Sequence, residues 1–276
     1  YLIQNEIGKQ TLGESVPNNT QVMLMKDLSV VLGSNKILNE VNLAMRTGER
    51  LAIVGPSGSG KSTILRLLAG LLLPSSGSLQ ISGIEQNYLR LDQDNPPDVR
   101  LVFQNPALLA SLTVKENVGF LLEKQKIFSE EIIKQKVIHC LQKVGLYDVA
   151  EKFPNQLSGG MQKRVSFARA LISDSKKGKD SIPLLLYDEP TAGLDPIACT
   201  RIEDLIIKTT DAADGCSIVV SHVSSTIERT ANRVILLYDG KFQWDGSIDQ
   251  FKQSENSYVK QFRTGNLQGP MQPEDL

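Results

Sequence analysis

A glycine-rich stretch that ends in lysine and two hydroxyl residues carries the clearest chemical signal in the sequence. Residues 55–62 fit the phosphate-binding pattern G-x-x-x-x-G-K-[ST]. Glycines let backbone N–H groups curl round phosphate oxygens, the Lys61 amine adds a positive charge, and the Ser62 hydroxyl can ligate Mg²⁺. We therefore expect a nucleotide site here. Its predicted binding residues are Gly55, Pro56, Ser57, Gly58, Ser59, Gly60, Lys61, Ser62 and Thr63.

Two carboxylates follow an apolar run further along the chain. Asp188 and Glu189 come directly after residues 184–187, which are typical of a buried strand. At the end of such a strand, Asp188 can hold Mg²⁺ directly or through water. Glu189 can polarise a water for attack on the γ-phosphate. The alternative is a surface turn, which the preceding apolar run disfavours.

Gln104 and His222 also follow predicted strands. The Gln104 amide oxygen can ligate Mg²⁺ or contact the attacking water, whereas a lone histidine after a strand is more often structural. Neither residue indicates a site alone, so their interpretation depends on the surrounding motifs.

The elements that must position these residues alternate between strands and helices. Strands are predicted over residues 51–54, 99–103 and 218–221. An apolar helix over residues 61–73 begins at the glycine-rich loop, so its N-terminal amides and dipole favour an anion there. This pattern predicts an α/β core.

Two segments differ from that core. Residues 22–32 and 37–45 carry strand-like alternation and predict an antiparallel sheet. Residues 104–156 predict an inserted, mostly helical subdomain, because Thr113 begins a capping-box pattern and Ser129 marks a second helix start. The alternative, that this block continues the core, conflicts with its lack of predicted strands.

The predicted fold class is therefore α/β. It comprises a P-loop NTPase core, with a mostly parallel sheet and helices on both faces, an N-terminal antiparallel β subdomain and an inserted α-helical subdomain. Further predicted elements are an exposed loop over 173–183, helices over 162–172, 196–209 and 258–262, and a hairpin across Asp239-Gly240.

Composition excludes several classes of protein. The 276 residues carry 30 basic and 31 acidic side chains, so no overall positive field argues for a nucleic-acid partner. The three cysteines, Cys140, Cys199 and Cys216, predict reduced, mostly packed thiols. The longest apolar runs fall far short of the ~20 residues of a membrane span, so a membrane role must involve a partner. No signal-peptide pattern is present, and the start at Tyr1 leaves a removed leader open.

The motifs occur in an order that resembles the ATPases of ABC transporters. After the glycine-rich loop come Gln104, the segment Leu-Ser-Gly-Gly-Met at 157–161, the carboxylates, Gly-Leu-Asp at 193–195 and His222. The Ser-Gly-Gly signature is decisive, since other P-loop NTPases lack it. The resemblance covers roughly residues 22–250. It implies a flexible arm over 1–21, the ATPase domain over 22–250 and a C-terminal extension over 251–276.

This resemblance implies a homodimer whose two copies pair head to tail. Ser158, Gly159 and Gly160 of one copy would contact the γ-phosphate bound by the other copy. These residues precede a predicted helix, whose N-terminus favours an anion. Asp195 would lie at the pair interface. The implied catalytic residues are Glu189, His222 and Gln104, the implied Mg²⁺ ligands are Ser62, Gln104 and Asp188, and the implied cofactors are ATP and Mg²⁺.

Two positions depart from the family pattern. Leu32 stands where the family usually has an aromatic residue that stacks on adenine, so stacking is weakened or replaced by apolar contact. Met161 ends the signature segment where glutamine is commonest.

A narrower resemblance is to the ATPases of MCE-type lipid transporters, which include the bacterial Mla phospholipid system and its cyanobacterial and chloroplast relatives. Four segments resemble those ATPases: residues 101–104, 112–118, 158–164 and 187–197. The resemblance predicts ATP-driven transport of phospholipid or a related polar lipid, with a permease and an MCE lipid-binding subunit as partners. It places the chain peripherally on the cytoplasmic face of the inner or plasma membrane, or on the stromal face of the chloroplast inner envelope.

Three alternatives stay open at this point. One is an ABC ATPase for another cargo. Another is a non-transport ABC ATPase, which the single P-loop and the absence of sustained heptads disfavour. The third is a regulatory module that holds ATP without turnover, which the presence of both Asp188 and Glu189 disfavours.

Overall fold

The computed structural model describes residues 20–172 and 182–272, so the predicted arm and the predicted 173–183 loop lie almost wholly outside the described residues. The strands are β1 Gln21–Leu32, β2 Asn35–Arg46, β3 Arg50–Val54, β4 Ser76–Ile81, β5 Ile84–Glu85, β6 Val99–Val102, β7 Leu184–Asp188, β8 Cys216–Val220, β9 Arg233–Tyr238 and β10 Lys241–Ser247. The α-helices are α1 Lys61–Leu68, α2 Val114–Gln125, α3 Glu130–Lys143, α4 Gly159–Leu171, α5 Pro196–Ala212, α6 Ser224–Thr230, α7 Ile248–Gln253 and α8 Ser257–Thr264.

A six-stranded sheet forms the centre of the molecule, in the order β10-β9-β3-β8-β7-β6. All neighbouring pairs are parallel except β10 with β9. Along β7, Leu184 and Leu186 pack in one cluster with α1, while Leu185 and Tyr187 pack with α4 and α5. Helices therefore cover both faces, which explains why the central strands read as continuous apolar runs and confirms the predicted fold class.

The predicted antiparallel sheet is also present, in the order β2-β1-β4-β5. Met23 and Met25 on β1 share one buried cluster with Leu65 on α1 and Leu51 on β3. Helix α1 therefore joins the apolar faces of the two sheets, and it fixes the position of the loop from which it begins.

The block over residues 104–156 contains α2 and α3 and, among its described residues, no strand. Both halves of the predicted capping box are formed: the Glu116 N–H donates to Thr113 Oγ1 at 3.4 Å, and the Thr113 N–H donates to Glu116 Oε2 at 2.6 Å. Gly119 lets the helices approach, because a Cβ there would lie 3.1 Å from an Ile133 methyl and 3.2 Å from a Val137 methyl. Two apolar helix faces thus pack on α4 and form a second buried cluster.

Two predicted helix boundaries were wrong. Helix α1 ends at Leu68 instead of residue 73, because Gly70 adopts a φ of 68° and its N–H donates to Leu67 O at 2.9 Å. Helix α4 begins at Gly159 instead of residue 162, because the Ser158 side chain caps it by accepting from the Met161 N–H. The two signature glycines therefore form the first turn of α4.

The C-terminal residues pack on the central sheet. The predicted helix near residues 258–262 is present as α8, whereas α6 and α7 were not predicted. Phe251, Val259 and Met271 are buried in one cluster with Val54 and Leu236. Among the described residues, no helix combines the length and apolarity that a membrane crossing requires. The division into arm, ATPase domain and extension stays a prediction.

Replacing Leu65 by alanine should destabilise the protein strongly. Leu65 is 1% exposed at the junction of both sheets, so truncation removes buried methyl groups and leaves a cavity. We expect a loss of about 2–5 kcal/mol in the free energy of unfolding, measured by urea denaturation.

The matched control is Leu71→Ala. Leu71 lies just beyond the same helix but is 51% exposed, so its truncation should change stability by less than about 0.5 kcal/mol. Equal losses for the two variants would contradict the assignment of α1 as the joint core element.

Candidate active site

The glycine-rich loop leaves the carboxyl end of β3 and closes on α1. Gly55 has a φ of 149°, and a Cβ at this position would lie 2.1 Å from the carbonyl oxygen of Leu237 on β9. Only glycine fits there, because the neighbouring strand occupies the space of a side chain. Gly60 precedes α1 with a φ of 100°, which exposes the first amides of the helix to an anion.

Lys61 is turned into this loop. Its buried Nζ donates to the Gly55 carbonyl at 2.8 Å and to the Pro56 carbonyl at 2.6 Å. Burial lowers the pKa of Lys61, and the nearby charges of Glu189 and Asp188 oppose that shift. Among the described residues, Ser59 Oγ is buried and has no hydrogen-bond partner. The loop therefore holds one ammonium and one unsatisfied hydroxyl, both suited to a phosphate oxygen.

Asp188 and Ser62 meet beside the loop. The Ser62 hydroxyl donates to Asp188 Oδ1 at 3.2 Å, although the two residues lie on different elements. Burial raises the pKa of Asp188, and the bond from Ser62 opposes the shift. A carboxylate and a hydroxyl fit Mg²⁺, which is usually bound by one or two carboxylates together with substrate phosphates.

Glu189 follows β7 in a left-handed conformation, with a φ of 43°, and its N–H donates to Val220 O at 2.9 Å. The side chain is mostly buried. Its Oε1 lies 3.0 Å from Nδ1 of the exposed His222, whereas its Oε2 is buried with no hydrogen-bond partner among the described residues. A buried carboxylate oxygen without a partner can accept a hydrogen bond from a water placed against it. The structure thus brings Glu189 and His222 together next to Asp188.

Gln104 lies exposed two residues after the end of β6. It lines a cleft of about 330 Å³ together with residues from the start of α4 and from the segment after Glu189. Its predicted contact with Mg²⁺ stays a prediction. Leu32 is exposed at the end of β1, where it pairs with Asn35 beside a turn, so it offers an apolar surface and no aromatic ring.

The signature residues lie apart from the loop, at the amino end of α4. Ser158 caps this helix, and a Cβ at Gly159 or Gly160 would meet nothing within 4 Å. The first turn of α4 is therefore open to a ligand from outside the chain. Asp195 caps α5 by accepting from the Ile197 and Ala198 N–H groups, each at 3.0 Å, which gives it a structural role within its own chain.

Sequence reasoning missed the side chains that hold the loops around the site. Lys163 Nζ on α4 donates to two carbonyl oxygens after Glu189, and Arg169 donates to the carbonyls of Pro106 and Ala107 after Gln104. The basic residues of α4 were visible in the sequence, but nothing local indicated their partners. Lys163 and Arg169 are six residues apart and do not share a helix face, so helical spacing gave no signal either.

Comparison with known proteins gives consistent matches. The profile described as ABC transporter matches residues 38–192. Protein TRIGALACTOSYLDIACYLGLYCEROL 3, chloroplastic, of Arabidopsis thaliana is 44% identical over 92% of this chain and 77% of its own length. The intermembrane phospholipid transport system ATP-binding protein MlaF of Haemophilus influenzae is 34% identical over 92% of this chain and 94% of its own length.

Other relatives carry other names. The methionine import ATP-binding protein MetN of Lactobacillus johnsonii is 34% identical over 88% of this chain and 70% of its own length. Among solved structures, a dimeric ATP-binding cassette in a post-hydrolysis state with bound ADP and Pi matches with a TM-score of 0.69 and 31% identity. That match covers 82% of this chain and 98% of the solved one.

Replacing Asp188 by asparagine should stabilise the protein when no nucleotide is bound. The folded-state pKa of Asp188 is raised, so the ionised carboxylate weakens folding at neutral pH. The variant should melt at a higher temperature than the wild type at pH 7. This gain should shrink as the pH falls through the raised pKa, and it should vanish below the unfolded value of about 3.9.

The measurement is thermal unfolding of both proteins across this pH range. Asp94→Asn is the control, because Asp94 is exposed outside the helices and strands, and it should leave the melting temperature almost unchanged. A lower melting temperature for Asp188→Asn at pH 7 would contradict the electrostatic account.

Proposed function

We propose that this chain, which belongs to the ABC transporter family, powers the transport of a phospholipid or a related polar lipid through a partner permease. As a member of that family it is an ATPase that uses ATP with Mg²⁺. ABC ATPases of this kind function as dimers with membrane permeases. The predicted family is thereby confirmed. The cargo, the lipid-binding partner and the residue roles are our proposal.

The similarity to two lipid-related proteins supports the cargo. The relative that is 44% identical bears the name of a galactolipid, and the MlaF protein of H. influenzae is named for phospholipid transport. The methionine importer reaches 34% identity, so a general likeness among ABC ATPases does not account for the 44% identity to the relative named for a galactolipid. The same two relatives support an MCE lipid-binding subunit as the proposed third partner. Our proposal includes no nucleic acid among the partners.

The proposed position is peripheral: the cytoplasmic face of the inner or plasma membrane, or the stromal face of the chloroplast inner envelope. The named relatives include a chloroplast protein and a bacterial transport ATPase, which supports these two settings without deciding between them.

The Glu189 carboxylate is the single observation that carries the proposed hydrolysis mechanism. With Oε1 held by His222 and Oε2 buried without a hydrogen-bond partner among the described residues, Glu189 is oriented to accept the proton of one water molecule. The water oxygen then bonds to the γ-phosphorus, the bond between that phosphorus and its bridging oxygen breaks, and ADP leaves with the electron pair. His222 keeps the carboxylate in place and faces the γ-phosphate.

The phosphate loop and the metal ligands bind and orient the nucleotide. Residues 55–63 supply backbone N–H groups, and the Lys61 ammonium exchanges its two carbonyl partners for phosphate oxygens. Ser62 and Asp188, together with Gln104, would hold Mg²⁺, and the ion would supply positive charge beside the phosphates. Leu32 offers adenine an apolar contact in place of a stacking ring.

The signature segment acts on the nucleotide of the second copy. Ser158, Gly159 and Gly160 form an open helix N-terminus that favours an anion. This N-terminus begins α4, whereas the phosphate loop of the same chain begins α1. Asp195, at the neighbouring end of α5, lies at the pair interface in this proposal. Each nucleotide is then bound by the phosphate loop of one copy and the signature segment of the other, an arrangement that we call a composite site.

The permease docks on the helical subdomain near the loop before α2. Leu109 is 46% exposed there, while Leu108 packs against the subdomain core and Leu112 is half-buried. Of the three leucines that could form an apolar docking patch, Leu109 is therefore the best placed. Exposed Phe103 extends the apolar surface beside Gln104.

Glu189→Gln should separate binding from hydrolysis. The phosphate loop and Asp188 are unchanged, so the variant should bind MgATP like the wild type, yet turnover should fall by about 100-fold or more because the proton acceptor is lost. An ATP-bound dimer should accumulate, and gel filtration with radiolabelled ATP would detect it.

Two comparisons make this test specific. Lys61→Ala should instead weaken nucleotide binding itself, because it removes the ammonium from the phosphate loop. Glu228→Gln is a neutral control, since Glu228 forms an exposed ion pair with Lys252. Normal turnover by Glu189→Gln would overturn the assignment of the general base.

Leu109→Glu should detach the subunit from membranes while the fold is retained. A charge at this exposed position would prevent an apolar contact with the permease but would disturb no buried packing. Flotation of the membranes followed by immunoblotting measures the bound fraction. Leu267→Glu is the matched control and should leave the bound fraction unchanged. Leu267 is 78% exposed and follows α8, which contacts β10, and β10 lies at the edge of the central sheet opposite to β6.

The complex purified through the wild-type subunit tests the cargo directly. We expect a permease, an MCE subunit and bound phospholipid or galactolipid, identified by mass spectrometry. Co-purification with a sugar- or amino-acid-binding protein and no lipid-binding subunit would overturn the lipid proposal, while the assignment as an ABC ATPase would stand.

A further inference from the structure

The segment directly after Glu189 is held by a lysine from the signature helix. Lys163 Nζ donates to the Pro190 carbonyl at 3.2 Å and to the Ala192 carbonyl at 2.8 Å. We call residues 189–194 the carboxylate turn. Within it, the Ala192 N–H donates to Glu189 O at 3.1 Å. Lys163 is therefore connected to the backbone of Glu189 through Ala192, which accepts from Lys163 and donates to Glu189.

Lys163 lies on the side of α4 that carries the signature. It follows Gly159 by four residues, which places the two on one helix face. Both residues line the 330 Å³ cleft, and Ala192, Gly193 and Leu194 of the carboxylate turn form its other wall. A shift of the α4 N-terminus therefore moves the Lys163 ammonium, and with it the two carbonyls that it binds.

The two hydrogen bonds from Lys163 are strong for contacts between a side chain and the backbone. An ammonium that donates to two carbonyl oxygens makes charge-assisted hydrogen bonds, and partial burial limits the competition from water. Burial lowers the pKa of Lys163, while the nearby Cys199 and Glu189 oppose that shift.

A separate network holds the same turn from its other side. Thr226 Oγ1 on α6 donates to Glu203 Oε1 on α5 at 2.9 Å, which uses its only proton. Thr191 Oγ1, 2.8 Å from Thr226 Oγ1, must therefore donate to it. Glu203 is buried and forms an ion pair with Arg229. The hydrogen bonds and the ion pair of this network join the turn, α5 and α6, and among the described residues none of them includes α4, so the network can serve as a comparison.

We propose that Lys163 is a positioning residue that couples the two ATP sites of the dimer. The proposal rests on the composite site described above. The α4 N-terminus of one copy contacts the nucleotide of the partner, whereas the carboxylate turn positions Glu189 of the same copy at its own nucleotide. Lys163 joins these two segments, so nucleotide bound at one site sets the position of the catalytic carboxylate at the other.

The test is the ATP dependence of hydrolysis by the complex that co-purifies with the chain. The wild type should show a sigmoidal curve with a Hill coefficient above one. Lys163→Met, which keeps the length of the side chain and removes its donors, should reduce the coefficient to about one and slow turnover several-fold. Should Lys163→Met not fold, Lys163→Leu, which also lacks a donor, replaces it in the same comparison.

Two controls distinguish coupling from simple support of the turn. Thr226→Val loosens the carboxylate turn from the other side, so it should slow turnover and leave the Hill coefficient unchanged. Lys208→Met, on the exposed face of α5, should change neither quantity. The proposal is overturned if Lys163→Met keeps the wild-type Hill coefficient, if Thr226→Val abolishes it equally, or if the wild type itself shows a coefficient of one.

A mixed dimer separates failure of this inference from failure of the composite site. Lys61→Ala in one copy and Ser158→Arg in the other should leave one intact site, whereas a dimer of doubly mutant copies should leave none. Equal nucleotide trapping by the two dimers would refute the composite site itself. Unequal trapping together with an unchanged Hill coefficient in Lys163→Met would refute only the role of Lys163.

Discussion

Parallel pairing of the central strands is the constraint on which the rest of the structure depends. Strands β3, β6, β7 and β8 all end at the same edge of the sheet, and the registers Ile53↔Val220 and Asp188↔Val220 align three of those ends. Ser62 and Asp188 are therefore within 3.2 Å of each other, although they come from distant parts of the sequence. Because the strands are buried on both faces, apolar packing holds this alignment.

The edge of the sheet where these strands end brings together charged side chains that burial disfavours. The pKa of Lys61 is lowered and that of Asp188 is raised, in both cases chiefly because desolvation penalises the charged form. Glu189 adds a carboxylate oxygen that has no partner among the described residues. Without a ligand the site works against folding, and the large apolar clusters on either side of the sheet offset this cost. Phosphate and Mg²⁺ would satisfy these same groups, which is why the unfavourable arrangement is suited to binding them.

The features that could be predicted from the sequence are those with local signals. The phosphate loop, the capping box at Thr113 and the apolar strand before Asp188 each depend on residues within one short window. The end of α1 was predicted too far along because Leu71 and Leu72 continue the apolar pattern, while the left-handed Gly70 stops the helix. Short α7 was missed although its Ser247 and Gln250 form a capping box, since a two-turn helix shows little periodicity. Contacts such as Lys163 with the carboxylate turn join segments far apart in sequence, and no local pattern encodes them.

The close approach of Gly55 to Leu237 has a consequence for how freely the phosphate loop can vary. The carbonyl that forbids a side chain at Gly55 belongs to a strand whose place in the sheet is set by its register with β3, Val54 opposite Leu236. Ser57, by contrast, is exposed and meets no such barrier. Tolerance to substitution therefore differs along a single loop, because a neighbouring backbone restricts its first residue and not Ser57. A change in the β9–β10 hairpin that moved this carbonyl would alter the space available at the first position of the loop.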